Sequence, residues 1–247
     1  MKKNILISDY NETYEETAKF DEFVDPKRKV ETYFSLVKSC PGKNVLEIGC
    51  AKGTLAIKLA KDGYKVTAVD IAKNYIYKAY INAKTEGVKI NFRIIDIQKP
   101  CRMRETFDII VMTEVLEHLR SPSIALENVW KLLKNNGFLI ISTPNQGTIG
   151  KLVRNLFKKD FFEGLHLNCY DFSQLYYTLR LHGFTTVKLY SCEEIDIPII
   201  NRISFIRPLS LLMGKRFPTL SKQLIIKAKK SKPLDLNKFI LNDWKYH

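Results

Sequence analysis

Short apolar stretches alternate with longer amphipathic stretches through most of the chain. The apolar stretches predict strands at 44–48, 64–70, 90–95, 107–112, 138–142, 185–190 and 224–228. Helical periodicity, with proline or glycine near the ends, predicts helices at 25–39, 54–62, 72–86, 124–133 and 172–181. Because strands that alternate with helices form βαβ units, the pattern predicts an α/β fold with a parallel sheet covered by helices on both faces.

The composition is that of a globular protein. The chain has 247 residues, 45% of them hydrophobic and 27% charged, which excludes extended disorder and collagen-like or mucin-like chains. Its five cysteines are widely spaced and form no C-x-x-C pair, which argues against a disulfide framework or a structural zinc site. The first residues lack the apolar core of a signal peptide, and no apolar run is long enough to span a membrane. We therefore expect a cytoplasmic protein.

Positive charge is concentrated towards the C-terminal end. The net charge is +14, and residues 197–234 contain no acidic side chain. The same window holds nine basic ones: Arg202, Arg207, Lys215, Arg216, Lys222, Lys227, Lys229, Lys230 and Lys232. Such a segment indicates an anionic partner, such as a lipid surface, a nucleic acid or a phosphorylated substrate, or else a solvated lysine-rich surface. The sequence leaves these two interpretations open.

Ligand-type residues follow three successive predicted strands. The turn from Glu47 through Gly49 to Gly53 follows the first strand and opens a helix, and glycine there permits a sharp turn close to a ligand. Asp70 ends the second strand and Asp96 ends the third. Ligands of open parallel sheets bind beyond the carboxyl ends of the strands. The three positions together predict a nucleoside site, with Asp70 on the ribose hydroxyls and Asp96 near a purine edge.

These segments resemble a known enzyme family. Val45-Leu-Glu-Ile-Gly-Cys-Ala-Lys-Gly53, Ala68-Val-Asp70, Asp96 and the stretch at 107–119 are similar to the class I S-adenosylmethionine-dependent methyltransferases. The resemblance spans roughly residues 30–190 and implies a Rossmann-like, doubly wound, seven-stranded sheet that is mostly parallel, with its last strand antiparallel. It also implies the cofactor S-adenosyl-L-methionine, bound by Glu47, Gly49, Gly53, Asp70, Ile71, Asp96, Ile97 and Thr113. One departure is Ala51, where the family usually has glycine.

A cluster of acidic and histidine residues follows the fourth strand. In Glu114-Val-Leu-Glu117-His118, a helical turn starting at Glu114 would place two carboxylates and one imidazole on the same face. Oxygen ligands with one nitrogen suit a hard divalent cation, and His166 is a candidate fourth ligand. The pattern resembles the ubiquinone-biosynthesis O-methyltransferases and the small-RNA 2′-O-methyltransferases, which implies Mg2+ held by Glu114, Glu117, His118 and His166.

Two further roles for this cluster remain open. His118 or His166 would serve as a general base with a pKa near neutrality, with Glu117 as the third catalytic candidate. Alternatively, the cluster binds no metal, as in family members with a similar Val-Leu-Glu-His-Leu stretch, and Glu117 and His118 only shape the substrate side. The turn from Ser142 to Asn145 resembles a motif of family members that act on sugars, lipids and quinones.

Segments outside the central pattern are interpreted as caps and attachments. Residues 10–25 and 161–170 carry aromatic side chains that either stack on an apolar acceptor or pack as core; they are Tyr10, Tyr14, Phe20, Phe23, Phe161, Phe162 and Tyr170. Residues 197–222 mix apolar and basic positions, which suits a segment lying on an anionic membrane. A helical excursion packed on the sheet with a basic outer face fits equally. Few aromatic residues occur there, which makes RNA the weaker interpretation.

The sequence predicts a chain of four segments. We expect an N-terminal helical cap (1–40), the S-adenosylmethionine-binding core (41–192), a basic apolar insertion (193–222) and the last strand with a C-terminal tail (223–247). The predicted function is O-methylation of a small-molecule or lipid-linked hydroxyl, with a divalent metal as a candidate aid and peripheral contact with an anionic membrane. The alternatives are an RNA 2′-O-methyltransferase and a non-catalytic module that retains the cofactor fold.

Overall fold

Seven strands form a single sheet in the computed structural model, which describes residues 26–100, 103–157, 166–197 and 206–234. The strands are β1 (Asn44–Ile48), β2 (Lys65–Asp70), β3 (Asn91–Ile94), β4 (Phe107–Thr113), β5 (Leu133–Pro144), β6 (Phe184–Tyr190) and β7 (Gln223–Lys230). The helices are α1 (Pro26–Lys38), α2 (Thr54–Lys61), α3 (Lys73–Thr85), α4 (Pro122–Leu132), α5 (Ile149–Phe157), α6 (Phe172–Leu181) and α7 (Arg207–Arg216). Two short 3-10 turns lie at Leu116–His118 and Pro218–Leu220.

The strand order is β3-β2-β1-β4-β5-β7-β6. The pairs from β3 to β5 are parallel, whereas β7 runs antiparallel to both β5 and β6. This confirms the predicted mostly parallel sheet with an antiparallel last strand. The direction of winding reverses between β1 and β4, and open sheets of this kind bind their ligands at that reversal, beyond the carboxyl ends of the strands.

Side chains of the central strands alternate between two cores, one on each face of the sheet. On one face, Val45 and Ile109 pack with residues of α1 and α2. On the other face, Leu46 and Ile110 pack with residues of α4 and α6. Both faces of the central strands are therefore buried, which accounts for their nearly continuous apolar sequences.

The predicted elements are present with end shifts of a few residues, and two helices were not predicted. Helix α5 lies in a stretch that the sequence analysis left unassigned. Helix α7 begins at Arg207, just before Pro208, because proline is tolerated in the first turn of a helix. Strand β5 begins at Leu133, earlier than predicted, and Asn136 takes a left-handed φ of 63° within it.

Several predictions fall on residues outside the described ranges. They concern the cap at 1–25, the aromatic residues Phe161 and Phe162, residues 198–205 of the basic segment, and the tail from 235 onwards. Within the described ranges, no helix combines the length and the apolar character that crossing a bilayer requires.

Candidate active site

A cleft opens at the carboxyl ends of the first four strands. Its wall includes four of the predicted cofactor residues that follow β2 and β3, together with the turn after β1; these are Gly49, Asp70, Ile71, Asp96 and Ile97. The turn after β4 forms the other wall, with Glu114, Val115 and His118. The strand ends thus bring the predicted nucleoside residues and part of the predicted catalytic set to one place.

The turn after β1 requires glycine for two separate reasons. Gly49 has a φ of 74°, and a Cβ atom there would lie 2.3 Å from Cγ2 of Val115. The turn after β4 therefore packs directly on the backbone of Gly49. Ala51 also has a left-handed φ, 44°, although it carries a side chain. A non-glycine residue in this region is strained, so the departure from the usual glycine has a local cost.

Asp70 holds this turn in place by accepting a hydrogen bond from its backbone. Its Oδ2 accepts a hydrogen bond from the backbone N–H of Ala51 at 2.9 Å, and its Oδ1 accepts one from Ala72 at 2.9 Å. Burial raises the pKa of the Asp70 carboxyl, while hydrogen bonds from the backbone of Ala72, Ala51 and Ile71 oppose that rise. Each carboxylate oxygen can accept more than one hydrogen bond, so ribose hydroxyls can be bound while the turn stays anchored.

Asp96 lies on the same cleft, one strand further along. Its Oδ1 accepts from the backbone N–H of Gln98 at 3.0 Å, and its Oδ2 lies 2.9 Å from Nζ of Lys99. Ile97 is buried beside it. The two strand-end acids therefore belong to a single site, as the sequence predicted.

Three further predicted cofactor residues, Gly53, Thr113 and Glu47, lie outside the lining of this cleft, and their contact with the cofactor stays a prediction. Gly53 faces α3, where a Cβ atom would lie 3.0 Å from Cβ of Ala79, so close helix packing requires this glycine. Thr113 pairs with Ser142 in the sheet. Glu47 is buried, and burial raises its pKa to about 8. Its Oε2 makes no hydrogen bond within the described part of the chain, so it remains open to a cationic group.

Glu117, His118 and His166 come together beside the cleft. One ligand atom from each lies within 4.8 Å of the others. The rings of His118 and His166 are 5.0 Å apart, and Nε2 of His118 is 3.9 Å from Oε1 of Glu117. Glu117 is 1% exposed, and neither of its carboxylate oxygens makes a hydrogen bond within the described ranges. Burial, followed by the charge of Glu114, raises its pKa well above the usual value.

Asn168, which the sequence analysis missed, brings His166 to this group. Its side-chain Nδ2 donates to the carbonyl of Leu119 at 2.6 Å, and its backbone N–H donates to the carbonyl of Glu117 at 2.9 Å. The loop before α6 is thereby fixed to the turn after β4. A single asparagine in a loop gives no signal of such a long-range role.

Glu114 lies outside the group, which corrects the predicted metal set. It adopts a left-handed φ of 53° instead of opening a helical turn, and the short 3-10 turn begins only at Leu116. Glu114 therefore does not share a helical face with Glu117 and His118. Its Oε1 accepts hydrogen bonds from Ser142 at 2.8 Å and from Gln223 at 2.9 Å.

Further polar residues that the sequence analysis missed surround Glu114. Nζ of Lys29 lies 3.7 Å from Oε2 of Glu114 and 3.3 Å from Oε1 of Glu193. Burial disfavours the charged ammonium of Lys29, but the two carboxylates outweigh it and raise its pKa. Burial alone would raise the pKa of Glu114, yet Lys29, Gln223 and Ser142 together lower it.

This sheet order, with an acid-lined cleft at the strand reversal and a glycine turn after β1, defines a class I S-adenosylmethionine-dependent methyltransferase. The chain belongs to the methyltransferase domain family, whose profile matches residues 20–189. It is therefore an enzyme that transfers methyl groups from S-adenosylmethionine, and the alternative of a non-catalytic module is set aside.

Curated relatives and solved structures agree with this assignment. The chain is 30% identical over 184 residues to a ubiquinone biosynthesis O-methyltransferase of Coxiella burnetii, an alignment that covers 69% of this chain and 79% of the relative. It is 35% identical over 102 residues to a protein of the same name from Rickettsia canadensis, covering 41% of this chain and 43% of the relative.

Among solved structures, magnesium protoporphyrin IX methyltransferase from Synechocystis matches with a TM-score of 0.65 and 19% identity, over 93% of this chain and 100% of that one. The N-methyltransferase NodS from Bradyrhizobium japonicum matches with a TM-score of 0.60 and 21% identity, over 90% of this chain and 98% of that one. At these identities the structural matches establish the fold alone.

Proposed function

We propose that this methyltransferase acts on a hydroxyl group of a small-molecule or lipid-linked acceptor. The observation that carries the proposal is the group of Glu117, His118 and His166 at the wall of the cofactor cleft. A hydroxyl must lose its proton to attack a methyl group, and this group offers imidazoles and a carboxylate for that purpose. The relatives named as O-methyltransferases support the same chemistry.

The residues of the cleft fit S-adenosylmethionine. Asp70 and Asp96 would hold the nucleoside, and Gly49 leaves room for close approach of the backbone. Asp70, Asp96 and Glu114 line the cleft, and the part of its lining that the structure describes contains no lysine or arginine, which suits a ligand with cationic groups. When bound, the cofactor supplies an electrophilic methyl group on a positively charged sulfur.

His118 is the proposed general base, because it is the member of the group that lines the cleft. Its imidazole would accept the acceptor's hydroxyl proton, and the carboxylate of Glu117, whose Oε1 is 3.9 Å from Nε2 of His118, would stabilise the resulting imidazolium. Asn168 keeps His166 in place on the other side of His118.

The same group fits a divalent cation. A carboxylate with both oxygens open and two imidazoles within 4.8 Å form a three-residue ligand set, from which Glu114 is absent. Mg2+ is the proposed ion, and its chemistry would be to lower the pKa of a bound hydroxyl.

Methyl transfer from labelled S-adenosylmethionine to a panel of catechols, aliphatic alcohols, amines and thiols tests the acceptor class. We expect labelled ethers from hydroxyl compounds, with little label on amines or thiols. Removing metal with EDTA and restoring Mg2+ tests the cation, and we expect activity to fall and return. Exclusive labelling of amines would contradict O-methylation, and EDTA-resistant activity would leave His118 as base without a metal.

We further propose peripheral contact with an anionic membrane. In α5, Ile149, Leu152, Leu156 and Phe157 are each more than half exposed, and Leu209 and Leu212 of α7 are exposed in the same way. Both helices pack against the segment at 193–196. The backbone N–H of Gly150 donates to the carbonyl of Asp196, and Gly214 lies against the carbonyl of Glu193. Neither helix contains an acidic residue, so apolar and basic groups share this surface.

Flotation with vesicles of phosphatidylglycerol or of neutral lipid tests this contact. We expect binding to the anionic vesicles only, and its loss in a variant carrying Leu152→Ser and Leu156→Ser. Exposed Tyr77 and Tyr80 on α3 give the matched control, with both changed to Ser. Equal flotation of the two variants would remove this surface from the proposal. Steeply salt-dependent binding to RNA instead of vesicles would favour the RNA alternative.

A further inference from the structure

Helix α1 reaches the turn after β4 through two side chains one helical turn apart. Lys29 places its ammonium between Glu114 and Glu193, and Tyr33 is buried at 4% exposure beside Ser142. No residue of α1 lines the cofactor cleft. Besides packing in the core that includes Cys50, the helix therefore meets the wall of the cleft through the residues that hold Glu114.

The hydrogen bonds around Glu114 have a single consistent direction. Ser142 Oγ donates its only proton to Glu114, so the hydroxyl of Tyr33, 2.9 Å from that oxygen, must donate to Ser142. Gln223 donates to the Tyr33 oxygen at 3.0 Å and to Glu114 at 2.9 Å. Cys192 in turn donates to Oε1 of Gln223 at 3.2 Å. Glu114 thus accepts directly from Ser142 and Gln223, while Tyr33 and Cys192 fix the orientation of those two donors.

This carboxylate sits at a strained and sensitive point. Glu114 holds a left-handed φ of 53°, a conformation that is unfavourable for a residue with a side chain. The next residue, Val115, packs directly on Gly49. A change in the direction of Glu114 would therefore move the side chain that touches the cofactor turn.

We infer that Lys29 is a positioning residue for the cofactor site: its ammonium holds Glu114 in the left-handed turn that seats Val115 against Gly49. Docking of α1 and cofactor binding are then linked through one buried cation. Because linkage is reciprocal, a bound cofactor stabilises the docked helix to the same degree as the docked helix favours the cofactor. The inference rests on the proposed cofactor site but not on the acceptor or on a metal.

The test measures binding of S-adenosylhomocysteine by calorimetry and amide hydrogen exchange of residues 26–38 with and without that ligand. In the wild-type chain we expect the ligand to slow exchange in α1. Lys29→Met should raise the Kd for S-adenosylhomocysteine by about 5- to 50-fold and remove the ligand-dependent protection of α1. Lys29→Arg keeps the charge and should restore both.

Lys38→Met is the matched control, because Lys38 lies on the same helix and its ammonium contacts only groups away from Glu114 among the described residues, namely Asp62 and the ring of Phe34. It should leave the Kd and the protection unchanged. A purely structural role of Lys29 would lower the melting temperature without abolishing the ligand effect on α1. If Lys29→Met does not fold, Tyr33→Phe gives a milder form of the comparison, with a rise in Kd of about 2- to 5-fold.

Two negative results are distinguishable. Absence of S-adenosylhomocysteine binding in the wild-type chain would contradict the proposed cofactor site itself. Wild-type binding together with an unchanged Kd in folded Lys29→Met, or with equal protection of α1 in both proteins, would overturn the inference and leave the proposed function intact.

Discussion

The two walls of the cleft are built in different ways. The cofactor wall consists of strand ends, and its acids are held by nearby backbone N–H groups, as Asp70 is by Ala51 and Ala72. The acceptor wall is assembled from segments far apart in the chain, with His166 brought to His118 by Asn168, and Glu114 held by Lys29. The first wall follows from local sequence, whereas the second depends on tertiary contacts.

Asp70 and Asp96 differ from Glu117 in their hydrogen bonds, whereas Glu114 resembles the first two because Ser142 and Gln223 donate to it. Asp70 and Asp96 accept hydrogen bonds from the protein itself. Glu117 is buried with both oxygens open and a raised pKa. A group that is satisfied in the free protein serves to bind and orient, while a buried group without partners indicates a place for a proton or a cation. Substitutions on the acceptor wall should therefore lower kcat, and substitutions on the cofactor wall should weaken cofactor binding.

The largest expected effect comes from the acceptor wall. His118→Ala removes the proposed base and should lower kcat by about 10²- to 10⁴-fold, while the Kd for S-adenosylhomocysteine changes little. His182→Ala, a change in a histidine bonded to the carbonyl of Thr178 at the end of α6, is the control and should leave kcat unchanged. Steady-state kinetics with calorimetry checks both. An equal loss of binding and kcat in His118→Ala would break the division between the walls.

The next effect comes from the cofactor wall. Asp70→Ala loses the anchor of the glycine turn and the proposed contact with the ribose, so the Kd for S-adenosylhomocysteine should rise at least about 100-fold. The exposed Asp62, which pairs with Lys38, supplies the control Asp62→Ala, with no expected change. Calorimetry measures both. Binding of near wild-type strength by folded Asp70→Ala would show that the strand-end acids do not hold the cofactor.

The cofactor wall could be predicted from the sequence to a greater extent than the acceptor wall. The strands, their mostly parallel order, and the convergence of Gly49, Asp70 and Asp96 were predicted, because apolar alternation and strand-end positions are local signals. Gly53 packs on Ala79, and its contact with the cofactor stays a prediction. Glu114 does not open the predicted helical turn, because its own turn is left-handed. Both residues stand at the spacing that the family motif requires. Their side-chain surroundings, however, are set by other helices and strands, which the motif does not specify.

The residues that sequence reasoning missed act over long distances in the chain. Lys29 and Gln223 both meet Glu114, although they lie near opposite ends of the described chain. The contacts of Lys29 and Gln223 with Glu114 leave no periodic trace in a single sequence.

Helix α5 was also missed, because its apolar residues follow the helix period over only nine residues.

A smaller effect concerns Glu47, which lies beneath the cofactor turn. Its folded pKa of about 8 lies above the ordinary 4.5, so the native state keeps a proton that the unfolded chain releases. Stability should therefore fall between about pH 5 and pH 8 from this group. Glu47→Gln should remove that loss and unfold at higher urea concentration at pH 8 than the wild type. An identical pH dependence in both proteins would contradict the buried, protonated state.

The smallest effect concerns the strained turn itself. Ala51→Gly should relieve the left-handed φ of 44° and stabilise the protein by about 0.5 to 1 kcal/mol, after the greater entropy of glycine in the unfolded chain is subtracted. Ala60→Gly, within α2, should instead destabilise it by about 1 kcal/mol. Urea unfolding gives both values. Destabilisation by Ala51→Gly would show that the alanine methyl group makes compensating contacts.

The most direct test of the central claim is a crystal structure of the chain with S-adenosylhomocysteine. We predict that the ribose hydroxyls lie within hydrogen-bond distance of Asp70, that the adenine lies beside Asp96 and Ile97, and that the sulfur faces His118. A ligand bound elsewhere, or one whose sulfur points away from the group of Glu117, His118 and His166, would contradict the account.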